Sequence, residues 1–308
     1  MILYEVIPRL MRAPQYIKKL LSFLIDETNQ IVNGDVHMEP IRNKILDCKR
    51  IVIKIGTSSL MLADGSVNYQ TFDRLAYVLT VLRKQGKEIV LVSSGAIGVG
   101  LNRLNLPHRP KTIPEQQAVA SVGQSELMNL YTRFFSHYNQ IVGQILMTLD
   151  IVQFPESRRN AVNAFEQLLK MGIIPIVNEN DAVSVEELDH LTKFGDNDRL
   201  SATVAEIISA DLLIMLSDVP GFYDKNPMAH PDAVLFHTIH AVTAKEMSLA
   251  GGNGSKFGTG GMATKLKAAK HILKNKQQMV LTQATDPTVL FDILAGKEIG
   301  TYFVREDK

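Results

Sequence analysis

The 308-residue chain has no tryptophan and a single cysteine, Cys48. One thiol excludes an intrachain disulfide, and no spacing of Cys and His suits a structural zinc site, so a reducing, cytoplasmic setting is expected. Net charge is almost absent as well: 33 Lys plus Arg stand against 32 Asp plus Glu, a formal +1. That balance excludes a whole-surface attraction to nucleic acid or to an anionic membrane, so a charged ligand must be held locally. Long apolar runs are missing too. Glu5, Arg9, Arg12, Lys18, Lys19 and Asp26 break every run near the N-terminus, and no window of about 18 apolar residues occurs elsewhere, so neither a signal segment nor a spanning helix is expected. There is no internal repeat and no G-x-x-x-x-G-K-[ST] loop, which excludes a solenoid and a Walker-type nucleotide site. The 45% hydrophobic content, in turn, excludes a disordered chain.

What the chain does contain, from Arg50 onward, is alternation. RIVIKIG reads as a buried strand, and after a turn Phe72, Leu75, Ala76, Leu79 and Leu82 recur at helical spacing, with Gly86 as the stop. EIVLVSSG, IVGQILMTL, GIIPIVNEND and ADLLIMLSD are further apolar strands with helical pattern between them, followed by QQMVLTQ, a helix over 287–294, and EIGTYFV. Strands apolar on both faces, joined by helical crossovers, predict an α/β fold with a parallel or mostly parallel sheet. Residues 50–308 are predicted to form one domain. Residues 1–49 read as an N-terminal extension, with Met38 as a candidate functional start.

In open α/β sheets ligands bind beyond the carboxyl ends of the strands. Four loops there are rich in Gly, Ser, Asn and Asp: KIGTSS (54–59), SSGAIGVG (93–100), NENDAV (178–183) and SDVPGFYD (217–224). Ordinary turn chemistry accounts for any one of them alone. The glycines of SSGAIGVG reverse the dinucleotide order, and GTGGMA (258–263) follows a Gly-rich loop instead of a strand, so neither supports a dinucleotide site. A helix opening on glycines does suit an anion, and in GTGGMATK it carries Lys265 one turn in, within reach of phosphate oxygens. Lys54 stands inside a strand expected to be buried, where an ammonium costs several kcal/mol unless an anionic ligand or a buried ion pair accepts it. Asp196, Asn197 and Asp198 open another helix. N-capping explains one of these carboxylates but not the Asn between them. Two lysines, several acidic or amide groups and two Gly-rich loops are the ingredients of phosphoryl transfer, which works by positioning and charge neutralisation.

In their order and intervals, KIGTSSL, SSGAIGVG, NENDAV, KFGDND, LSD and GTGGMATK resemble the glutamate 5-kinases of the amino acid kinase family over about residues 50–300. The resemblance implies a three-layer α/β/α sandwich with a mostly parallel central sheet. It implies transfer of the ATP γ-phosphoryl group to the side-chain carboxylate of L-glutamate, giving γ-glutamyl phosphate on the way to proline. It assigns Lys54 and Lys265 to the moving phosphoryl group and Asp198 to holding both lysines. Ser94, the Gly95 backbone, Asp181 and Asn197 would grip glutamate, Asp181 answering its ammonium. Ser217 and Asp218 would lie at the nucleotide, and Thr259, Gly260, Gly261, Met262, Ala263, Thr264 and Lys265 would wrap its phosphates, with Mg²⁺ arriving on ATP. Proline is the implied feedback inhibitor, sensed through the long 184–195 loop. A homo-oligomer, dimer or tetramer, is expected, in a short form without a C-terminal PUA domain and with no nucleic-acid or membrane partner. Two other readings stand beside this one: a non-catalytic amino-acid or nucleotide sensor on the same fold, and a sister carboxylate kinase such as acetylglutamate kinase.

Overall fold

The computed structural model describes residues 40–148, 150–183, 196–250 and 261–306. Met38 with the rest of 1–39, the 184–195 loop, Thr259 and Gly260 lie outside the described residues. The strands are β1 Arg50–Ile55, β2 Glu88–Ser93, β3 Val142–Met147, β4 Ile174–Glu179, β5 Leu212–Ser217, β6 Thr238–Ile239, β7 Gln278–Gln283 and β8 Thr301–Phe303. They form one sheet in the order β3-β4-β2-β1-β5-β7-β8-β6. Every pairing is parallel except that of β7 with β8. The helices are α1 Thr57–Leu60, α2 Tyr69–Lys84, α3 Ala96–Arg103, α4 Ile113–His137, α5 Asp150–Gln153, α6 Pro155–Lys170, α7 Asn197–Ile207, α8 Ala244–Ala250, α9 Met262–Lys274 and α10 Val289–Leu294. None of the described helices is long and apolar enough to cross a membrane.

Side chains alternate across a strand, so an apolar strand feeds two cores at once. Ile51, Ile53 and Ile55 of β1 join a core with Phe72 and Leu79 of α2, Leu127 and Tyr131 of α4, and Leu290 of α10. Val52 belongs to the opposite core, with Phe165 of α6, Leu200 and Val204 of α7, and Leu266 and Ile272 of α9. The result is three layers, helices on both faces of a mostly parallel sheet.

The body starts earlier than the apolar alternation indicates. All described residues belong to a compact unit beginning at Glu39. Pro40–Ile45 is a short 3-10 helix, from which Ile45 enters the core. Arg42, 0% exposed, donates to the carbonyl oxygens of His237 at 2.9 Å and Ile299 at 2.8 Å, tying the chain before β1 to the β6–β8 end of the sheet. This stretch has neither strand nor α-helical periodicity, which is why local patterning missed it.

α3 and α4 meet backbone to backbone. A Cβ on Gly123 would lie 1.8 Å from the Ala96 carbonyl oxygen, and one on Gly100 would lie 2.3 Å from that of Val119. Both positions therefore need glycine. The contact presses the middle of α4 against the first turn of α3, immediately after the Ser94–Gly95 loop.

Candidate active site

The pleat of β1 turns Lys54 to the same side as Val52, and α7 and α9 cover that side. Asp198 stands in the first turn of α7, and Lys265 in the first turn of α9. Lys54, Asp198 and Lys265 are 8%, 1% and 5% exposed. Lys54 Nζ lies 2.7 Å from Asp198 Oδ1, and Lys265 Nζ lies 3.2 Å from Asp198 Oδ2. Thr264 Oγ1 stands 2.8 Å from the same Oδ2 and also 2.8 Å from the Gly261 carbonyl oxygen. Burial opposes ionisation of Asp198, but the ammoniums of Lys54 and Lys265 and the Thr264 hydroxyl outweigh it, so the group sits below the usual carboxylate range. Asp198 thus fixes two ammoniums close together in a nearly dry site, an arrangement suited to a phosphate.

Helix periodicity accounts for the choice of lysine in α9. Lys265 points inward beside Leu266, while Lys267, Lys270 and Lys274 are exposed. Asp196, by contrast, is the N-cap of α7, accepting from the Arg199 backbone N–H at 2.8 Å. Burial, only partly offset by that bond, raises its carboxyl above the ordinary range. The two acidic residues of the run thus divide between capping and ion pairing.

The amide between them faces another way. Asn197 Nδ2 lies 3.0 Å from the Ser93 carbonyl oxygen, 2.8 Å from Ser94 Oγ and 3.0 Å from Asn178 Oδ1. Ser94 Oγ accepts there, which leaves its own proton for a substrate oxygen. Gly95 takes a left-handed backbone, φ 101°, and caps α3, an orientation that a side chain would strain. Tyr131 of α4, fully buried, shares a hydrogen bond of 2.7 Å with Ser93 Oγ. Asp181 lines a cavity of about 390 Å³ with Ala96, Gln124, Asn129 and Asn180. Asn178, 3% exposed, is a further residue of this site, within the NENDAV segment. Its place at the carboxyl end of β4 was the available signal. Tyr131 and Gln124 had none, because they lie within a helix that reads as ordinary amphipathic pattern.

Lys265 lines a second cavity of about 240 Å³, together with Asp218, Phe222, Tyr223, Met262 and Ala263. Gly261 lines it as well, at the N-terminus of α9. Ser217 Oγ donates to Asp218 Oδ1 at 2.9 Å. The hydroxyl of Thr264, expected at the nucleotide phosphates, is instead engaged with Asp198 and Gly261. Among the described residues no group of three or more His, Cys, Asp and Glu side chains could hold a metal ion. Through Lys265 the lysine–aspartate centre borders the cavity that includes a helix N-terminus and aromatic rings; the cavity lined by amides and carboxylates is formed by other residues, Gln124, Asn129, Asn180 and Asp181 among them.

A family model described as "Amino acid kinase family" matches residues 49–283. The chain belongs to the amino acid kinase family. This family member is 59% identical over 265 residues to a protein named glutamate 5-kinase from Enterococcus faecalis, covering 86% of this chain and 98% of that protein. It is 59% identical over 263 residues to a glutamate 5-kinase from Listeria monocytogenes, covering 85% and 95%, and 57% identical over 258 residues to one from Lactiplantibacillus plantarum, covering 84% and 97%. Among solved structures, isopentenyl phosphate kinase from T. acidophilum superposes with a TM-score of 0.56 at 17% identity, covering 83% of this kinase and all of that chain. UMP kinase from Bacillus anthracis gives 0.56 at 15% identity, covering 84% and 97%. At such identities the two structures establish the shared fold alone.

Proposed function

We propose that this kinase transfers the γ-phosphoryl group of ATP to the side-chain carboxylate of L-glutamate, forming γ-glutamyl phosphate and ADP, the first step toward proline. The observation that carries the reading is the buried Lys54–Asp198–Lys265 centre, whose Lys265 lines the cavity at the N-terminus of α9. A carboxylate oxygen of the substrate attacks the γ-phosphorus, the bond to the β-phosphate oxygen breaks, and ADP leaves. Negative charge shifts onto the transferred group and its bridging oxygen, so fixed ammoniums that need no reorganisation favour the transition state. Asp198 holds them in place, Lys265 from the nucleotide side and Lys54 from the sheet.

ATP lies against Ser217, Asp218 and the start of α9 in this reading, with Gly261, Met262 and Ala263 at its phosphates. Mg²⁺ would come with ATP and would supply further neutralisation of its phosphates. Glutamate lies between Ser94–Gly95, Asn197 and Asp181, whose carboxylate answers the α-ammonium. Proline, a cyclised relative of that substrate, competes for the same pocket as a feedback inhibitor. The active form is a homo-oligomer working in the cytoplasm, where ATP is supplied and a lone buried thiol stays reduced.

An ATP-dependent hydroxamate assay traps acyl phosphates and separates the competing readings. Glutamate should give the product, whereas N-acetylglutamate, which lacks the ammonium, and aspartate, which is one methylene shorter, should give little. A preference for N-acetylglutamate would make the chain a sister kinase, and no product from any of the three would make it a sensor.

A further inference from the structure

A backbone carbonyl determines the orientation of three linked amide side chains, the last of which lines the 390 Å³ cavity. A carbonyl oxygen only accepts, so the group of Asn197 facing the Ser93 carbonyl oxygen at 3.0 Å must be Nδ2. The same Nδ2 meets Asn178 Oδ1 at 3.0 Å, which turns Asn178 Nδ2 toward Gln124, whose Oε1 accepts it at 2.8 Å. Flipping any one amide would set donor against donor or acceptor against acceptor. Gln124 is the end of this relay, and its Nε2 has no partner among the described residues. Gln124 also lines the 390 Å³ cavity together with Asp181. The Gly123–Ala96 backbone contact holds that part of α4 against the loop that receives the substrate.

We propose that Gln124 is a substrate-recognition residue whose Nε2–H donates to the α-carboxylate of the amino-acid substrate. The inference rests on the glutamate reading above and adds a residue to it. The reacting carboxylate must approach Lys54 and Lys265; Gln124 is joined through Asn178 to Asn197, the neighbour of Asp198, and shares its cavity with Asp181, so it is placed to meet the distal amino-acid group of the substrate. Asp181 takes the ammonium there, and an oriented amide donor takes the adjoining carboxylate. An amide is suited to this place, because its oxygen serves Asn178 while its nitrogen serves the ligand.

Two substitutions separate this role from a structural one. In Gln124→Glu the carboxylate still accepts from Asn178, so the relay survives, but the donor is gone and a like charge faces the substrate. In Gln124→Met both the donor and the acceptor are lost, without added charge. Donation to the substrate predicts glutamate KM raised about 10- to 100-fold in Gln124→Met and further in Gln124→Glu, with ATP KM unchanged and kcat at saturation largely kept. A residue that merely supports Asn178 predicts the reverse order, Met the worse. Equal or reversed KM values overturn the proposal. Should Gln124→Met fail to fold, a normal glutamate KM in Gln124→Glu overturns it alone. Absence of glutamyl hydroxamate with the unaltered enzyme would defeat the function itself, which keeps the two failures distinct.

Discussion

Replacing Asp198 by Asn tests the centre of the site, because it removes one charge and hardly any volume. The carboxylate is 1% exposed on its side chain and meets Lys54 at 2.7 Å and Lys265 at 3.2 Å, themselves 10% and 6% exposed on their side chains. At an effective dielectric of about 20 these attractions amount to roughly 6 and 5 kcal/mol before desolvation is subtracted. Much of that gross figure is offset by burial, and stripping one partner from a buried ion pair typically costs about 3–5 kcal/mol. The variant leaves two ammoniums facing a neutral amide, so urea unfolding without nucleotide should show a loss of that order. MgATP should restore part of it, since the phosphates supply the missing negative charge. Turnover should fall at least about 100-fold, because the lysines lose their fixed geometry, while glutamate KM changes less than about threefold. ADP release with varied glutamate, alongside urea curves with and without MgATP, measures all three. Wild-type stability would refute the electrostatic account of the fold. A normal kcat on a destabilised enzyme would refute the link from Asp198 to the chemistry.

Lys265→Met should lower kcat by about 100- to 1,000-fold with glutamate KM nearly unchanged, since its charge acts on the transferred group; a pure KM effect in steady-state kinetics would contradict this. Asp181→Asn should do the opposite. Asp181 is only half-buried, so glutamate KM should rise by about tenfold, less than for a fully buried pair, with ATP KM constant; normal glutamate binding in a titration would remove the assignment. Gly123→Ala forces a Cβ into the Ala96 carbonyl and should cost about 3 kcal/mol or more; an unchanged melting temperature would show that the helices can part freely. Asp198 is held below the ordinary carboxylate range, so the native state binds fewer protons there than the unfolded chain. Its stabilisation is then complete above the ordinary carboxylate pKa of about 3.9 and is lost as pH falls through the native value. Asp196, raised by burial, has the opposite sign. The acid limb of stability against pH should therefore be shallower in Asp198→Asn than in the parent, and identical slopes would count against the ion pairs.

Short-range pattern is legible along the chain. Apolar runs of strand length showed seven of the eight strands, their apolar character on both faces announced a mostly parallel sheet although edge strand β3 is only partly buried, and the loops at their carboxyl ends carried the polar residues. Lys54 stood out for the same reason, a charge where the period of two demanded an apolar side chain. Two-residue β6 is too short to show a period, and the antiparallel turn of β8 leaves no mark on composition. Which distant groups meet depends on the folded chain as a whole. Lys54, Asp198 and Lys265 lie on β1, α7 and α9, and their convergence depends on how two crossover helices pack across one face of the sheet. The relay from Ser93 through Asn197 and Asn178 to Gln124 joins four separate elements, and Arg42 reaches the far end of the sheet. Periodicity tells a residue which side of its own element it occupies. The neighbour it meets there is set by strand order, register and the close approach that Gly100 and Gly123 allow, properties of the whole chain packed at once.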